Sequence, residues 1–109
     1  STVNSLPVLE AARQLGKLHE LTIVTTDLFP ALVPWIRDGS VAATVYQRPL
    51  SQGRQALLAL RDFLVNGTYP SPRIKVMPHL LMRSNLDLFL ERLRVDLESP
   101  DGSPAEAQA

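Results

Sequence analysis

The sequence predicts an α/β fold, a mainly parallel sheet with flanking helices. Three observations carry that expectation. Two uncharged runs rich in β-branched residues, 21–26 and 41–46, read as strands. Stretches with apolar residues at helical spacing lie before, between and after them. Glycine, proline, asparagine and aspartate punctuate the joints, so helix and strand alternate along the chain.

The elements follow in order. Asn4 or Ser5 can cap a first helix, with Pro7 tolerated in its first turn. Val8, Leu9, Ala12 and Leu15 then recur at helical spacing until Gly16 stops the run. Residues 21–26 are expected to form a strand buried on both faces. Asp27 leaves it, and Pro30 opens a second helix holding Leu32, Val33, Trp35 and Ile36, ended by Asp38, Gly39 and Ser40. Residues 41–46 form the second strand, followed by Gln47, Arg48 and Pro49. The longest helix is expected over 51–65, with Ala56, Leu57, Leu60, Phe63 and Leu64 on one packing stripe and Asn66-Gly67 as a left-handed stop. Residues 73–77 and 80–82 read as two short strands broken by Pro78, and 86–95 as a last amphipathic helix. From Glu98 onward the composition turns to small and polar residues, as expected of a disordered tail over 98–109.

Composition narrows the function classes. The chain has 109 residues, one domain's worth, and its 45% apolar content is enough to bury a core. Eleven basic and eleven acidic residues cancel, so no overall field draws nucleic acid or an anionic membrane. With no cysteine, a disulfide framework and a thiolate metal site are both excluded. No apolar run is long enough for a membrane span, and no membrane contact is expected. His19 and His79 stand alone, neither G-x-S-x-G nor G-x-G-x-x-G occurs, and neither catalysis, a cofactor nor a metal is expected. The chain opens on Ser1 without an initiator methionine, and its first helix has no strand before it. Both features suggest a fragment with an exposed sheet edge.

In an open parallel sheet, ligands bind beyond the carboxyl ends of the strands, where the outgoing loops converge. Asp27 and Gln47 leave the two predicted strands at that rim, and the segment 1–4, with Asn4, arrives at the same place. A carboxylate accepts two hydroxyl hydrogens and a carboxamide both donates and accepts, a combination suited to a polyhydroxylated ligand. Arg48 adds a fork of donors, and Phe29 or Tyr46 an aromatic face. Each has a plainer role. Asp27 serves equally as a helix cap or loop former, Phe29, Trp35 and Tyr46 as core, and Arg48 as a surface salt-bridge partner.

Four segments in sequence carry a family resemblance. Ile23-Val24-Thr25-Thr26-Asp27 is a strand ending in Asp, and Asp38-Gly39-Ser40 through Thr44-Val45-Tyr46-Gln47 a second strand ending in Gln. Pro49 with Gln52-Gly53-Arg54 and Ala56 is a helix start, and Pro78-His79-Leu80-Leu81-Met82-Arg83-Ser84 a closing stretch. Over about residues 1–90 the chain resembles the effector domains of the lactose-repressor family and their periplasmic binding-protein relatives. The resemblance implies part of a two-lobed, type 1 periplasmic-binding-protein-like fold. Residues 1–97 would be its C-terminal portion: 1–47 the C-terminal lobe, 48–77 crossing to the N-terminal lobe, and 78–97 a hinge strand and last helix. It also implies that Asp27 and Gln47 contact a sugar. Two departures stand out: Thr25-Thr26 replaces the family's Gly-Phe, and Ser1 to Asn4 its Asn-Asp pair, the family Asn aligning nearer Ser1.

The resemblance further implies a cytoplasmic, dimeric bacterial transcription regulator sensing a sugar or sugar-like metabolite through lobe closure. DNA would be bound only by a domain outside this sequence. The alternative is the periplasmic sugar-binding component of an uptake transporter, and an upstream helix-turn-helix or signal peptide separates the two.

Overall fold

In a computed structural model of the chain, residues 2–98 are described. The α/β class holds. Helix α1 (Thr2–Gln14) is followed by a 3₁₀ turn, strand β1 (Ile23–Thr26), a second 3₁₀ turn and helix α2 (Val33–Arg37). Strand β2 (Val41–Tyr46), helix α3 (Pro49–Asn66), strand β3 (His79–Leu81) and helix α4 (Leu86–Glu98) complete it. The sheet order is β1-β2-β3. β1 pairs with β2 in parallel, with Thr26 opposite Val45. β3 returns antiparallel, with His79 opposite Tyr46 and Leu81 opposite Thr44.

The core forms where the helical periodicities meet the sheet. Leu9, Leu32, Ile36, Val41 and Leu86 cluster with almost no exposed surface. Leu6, Leu18, Ile23, Leu28, Phe29 and Trp35 pack partly buried against them. Elements from 2 to 47 and the start of α4 therefore share one apolar centre. A tight turn joins β3 to α4: the Asn85 side chain accepts from Met82 N–H at 2.7 Å and donates to the Leu80 carbonyl at 2.9 Å.

Several elements differ from the sequence reading. α1 starts at Thr2, so Asn4 and Ser5 lie in its first turns rather than at a cap, and Pro7 sits inside it. Proline's fixed φ is helical, so the ring costs one backbone hydrogen bond but does not end the helix there. β1 is not buried on both faces: Val24 is 60% exposed and Thr26 is exposed with it, so one face of the strand is uncovered. β2 has buried residues on both faces, Val41 and Ala43 on one and Thr44 and Tyr46 on the other, with Ala42 exposed. Residues 73–77 form no strand, since Pro72 and Pro78 bracket them and they stay largely exposed.

The largest difference is in α3. Only Ser51 is buried on that helix, while Leu57, Leu60 and Leu64 are 67%, 53% and 70% exposed. The stripe expected to pack within the chain faces solvent instead. The Cα radius of gyration, 17.4 Å, agrees with this, since a compact domain of about 100 residues measures about 13 Å. Gly67 does end α3 in the left-handed conformation, φ 67°, with its N–H bonded to the Phe63 carbonyl at 3.1 Å. Beyond Glu98, the tail expected to be disordered lies outside the described residues.

Burial sets the sensitivity of these sites. Ile36→Ala empties a fully buried position and is expected to cost about 2–5 kcal/mol in urea unfolding. Leu64→Ala, on the solvent face of α3, is expected to change stability by less than about 0.5 kcal/mol.

Candidate functional site

Parallel pairing brings the ends of β1 and β2 to one rim. Asp27 directly follows Thr26, whose partner is Val45, so Asp27 and Gln47 leave adjacent parallel strands at the same end of the sheet. The backbone of Asp27 is held there twice. Its N–H donates to the Val45 carbonyl at 2.9 Å, and its own carbonyl accepts the hydroxyl of the fully buried Thr44. The Asp27 side chain is half-buried and Gln47 is exposed. The Gln52 side-chain amide donates to the Gln47 carbonyl, which ties the rim to the first turn of α3.

Two residues of this rim carry unusual backbone geometry. Among the described residues, Asp27 (φ 74°) and Arg48 (φ 55°) are the non-glycine residues with positive φ. One follows β1 and the other lies two residues beyond β2. Such conformations cost about 1–3 kcal/mol each and gather at ligand clamps and switch regions. Arg48 is the more unusual case, because a residue ahead of proline ordinarily takes extended geometry. Its side chain is also buried, 9% exposed.

The other expected site residues separate into two groups. Phe29 is half-buried against the apolar core, the plainer of its two roles. Asn4 lines a groove of about 340 Å³ between the first turns of α1 and the edge strand β1, together with Ser5, Thr25 and Thr26. That groove adjoins the rim through Thr26, the residue before Asp27. Thr25, which the sequence did not single out, lines that groove as well. It is 8% exposed, and its hydroxyl is buried without a hydrogen-bond partner. Two successive hydroxyl residues closing an otherwise apolar strand were the available signal. A second depression of about 390 Å³ lies between α3 and residues 74–76, lined by Gln52, Gln55 and Ala56 among others.

His79 was also missed as a member of this end of the sheet. Its register opposite Tyr46 sets it beside Arg48, and the Phe89 ring packs edge-on to Tyr46 at 4.9 Å and against His79 at 5.5 Å. Burial, and then the positive charges of Arg48 and Arg92, hold the imidazole below its ordinary value of 6.5. Among the described residues no group of three or more His, Cys, Asp or Glu side chains converges as a metal site. No helix there is long and apolar enough to cross a membrane. The chain matches no model of a known protein family, and no curated protein matches it.

Thr44→Val removes the hydroxyl that holds the Asp27 carbonyl and is expected to cost about 1–3 kcal/mol, read from urea unfolding. His79 sets a pH dependence of defined sign. The unfolded chain takes the proton first, so the contribution of neutral His79 is complete above 6.5 and is lost as pH falls from there through the lower folded value. Stability measured on acidification should decline in that window, and His79→Gln should flatten the decline.

Proposed function

We propose that the chain is part of the effector-binding domain of a lactose-repressor-type transcription regulator, taking a sugar or sugar-like metabolite at the rim of β1 and β2. The observation that carries the reading is the shared rim of Asp27 and Gln47, reached from two paired parallel strands. A carboxylate and a carboxamide at one rim suit a polyol, whose hydroxyls donate to the first and both donate to and accept from the second. The left-handed backbones at Asp27 and Arg48 support the same place, since strain of this kind gathers where ligands bind.

The uncovered apolar stripe of α3 supports the two-lobed part of the proposal. Leu57, Leu60 and Leu64 on one helix face call for a surface to cover them, and a second lobe or subunit supplies one. In the cytoplasm, a ligand bridging two lobes favours the closed arrangement by the contacts it gains there. DNA-binding heads outside this sequence would read that closure, and the regulator would act as a homodimer.

The test is direct. A panel of mono- and disaccharides is screened for a rise in unfolding temperature, and the best is titrated calorimetrically. Asp27→Ala and Gln47→Ala are each expected to weaken that binding by about 1–3 kcal/mol, through partners left unpaired. Unchanged affinity in both variants would remove the site assignment.

A further inference from the structure

We propose that His79 is a pH-sensitive latch: a proton on its imidazole releases the first residue of β3 and the Phe89 ring from the end of β2, and so moves Gln47 and Arg48. The device needs no bound ligand and stands whether or not a sugar occupies the rim.

The packing carries it. The Nε2 atom of His79 is buried without a hydrogen-bond partner. Its ring lies 5.5 Å from that of Phe89 on α4, and its backbone pairs opposite Tyr46 on β2. The charges that act on it come from two elements, Arg48 at the β2–α3 junction and Arg92 on α4, and both are positive. Asp87, in the first turn of α4, is engaged by Arg37 at 2.7 Å. A neutral imidazole suits such a place. A protonated one carries an N–H donor on both nitrogens. In the closed packing Nε2–H then lacks an acceptor and the ring lacks a counter-charge, which is costly for a buried ion. Burial and the two guanidinium groups accordingly hold the closed imidazole below 6.5. As pH falls through that value the open form takes the proton first. Acid therefore favours opening, by up to about tenfold per pH unit, until the closed form's own value is reached.

The topology makes the opening local. His79 is the first of three residues in β3, paired with Tyr46 at the outer end of the ladder. Residues 73–77 ahead of it lie largely exposed, outside any strand. The other end of β3 is held by the buried Leu81 and by Asn85, which bonds Met82 N–H and the Leu80 carbonyl. Fraying at His79 leaves that anchor in place. Phe89 touches both rings, so releasing His79 loosens the edge contact with Tyr46. Two residues beyond Tyr46 stands Arg48, left-handed at φ 55° ahead of Pro49. Such a backbone persists only while its surroundings hold it, and extended geometry is the ordinary state before proline. Once Tyr46 is loosened, Arg48 relaxes toward that state and Gln47 moves with it. A fall in pH thus reshapes the candidate rim.

The test follows the isotope-labelled chain by NMR from about pH 7.5 to about pH 5, the range in which histidine titrates, without ligand. Histidine rings and backbone amides are read in wild type, His79→Gln and Arg92→Gln. The amides of Tyr46, Gln47 and Arg48 should titrate with the His79 ring at one midpoint below 6.5. In His79→Gln that movement should be lost, while shifts belonging to His19, the other histidine, remain. Arg92→Gln removes one of the two positive charges, so the His79 midpoint should rise and the three amides should follow it. Leu9, Ile36 and Val41 in the core should keep their native signals throughout. Rim amides that stay still while His79 titrates overturn the latch. So does rim movement that persists in His79→Gln, or a rim midpoint that stays put when that of His79 rises. Loss of the core signals in the same step overturns it too, because the chain is then unfolding as a whole.

Discussion

Everything at the candidate site depends on the parallel register of β1 with β2. That pairing sets Thr26 opposite Val45 and brings the residues beyond both strands to one edge. The register is then locked at its last step, where Asp27 donates to the Val45 carbonyl and receives the Thr44 hydroxyl on its own. Thr44 is fully buried on the central strand, so its hydroxyl has one productive partner and the left-handed turn at Asp27 supplies it. A slip of one residue would reverse the faces of β1 and move Asp27 off this rim. Core packing opposes such a slip, because Ile23 and Val41 share one apolar cluster with Ile36 and Leu9.

Around this pair the molecule is unevenly covered. β2 has buried residues on both faces, β1 is an edge, and α3 leaves its leucines in solvent. The same apolar pattern therefore has different consequences in different places. Leu9 on α1 is buried among Leu32, Ile36, Val41 and Leu86, whereas Leu57 and Leu64 stay 67% and 70% exposed. The rings of Tyr46, Phe89 and His79 pack together where β3 pairs with the end of β2.

These contrasts explain what was legible in the sequence. The alternation of β-branched runs with helical periodicities gave the α/β class and most element positions, because those patterns are local. Gly16, Gly39 and Gly67 all adopt positive φ, so the turn signals also read correctly. Periodicity reports which residues want burial, but not what will bury them. For that reason the sequence pattern alone implies a β1 covered on both faces and a packed α3 stripe, and the structure shows neither. Residues 73–77 misled for a related reason: an apolar alternation is not a strand without a neighbour to pair with, and the flanking prolines discourage one.

The rim itself was readable, since two polar residues ending adjacent strands imply a shared edge once the pairing is parallel. The paired hydroxyl residues Thr25-Thr26 were visible, but that the Thr25 hydroxyl is buried without a partner is revealed only by three-dimensional packing. His79 likewise joins the site through antiparallel pairing with Tyr46, a long-range contact that no local pattern encodes. The most direct measurement of the central claim maps backbone amide shifts in the isotope-labelled chain during titration with its best-binding sugar. The account expects the amides around Asp27 and those around Gln47 to shift together at a common dissociation constant. Shifts at one strand end without the other, or confined to the depression beside Gln52 and Gln55, would contradict it.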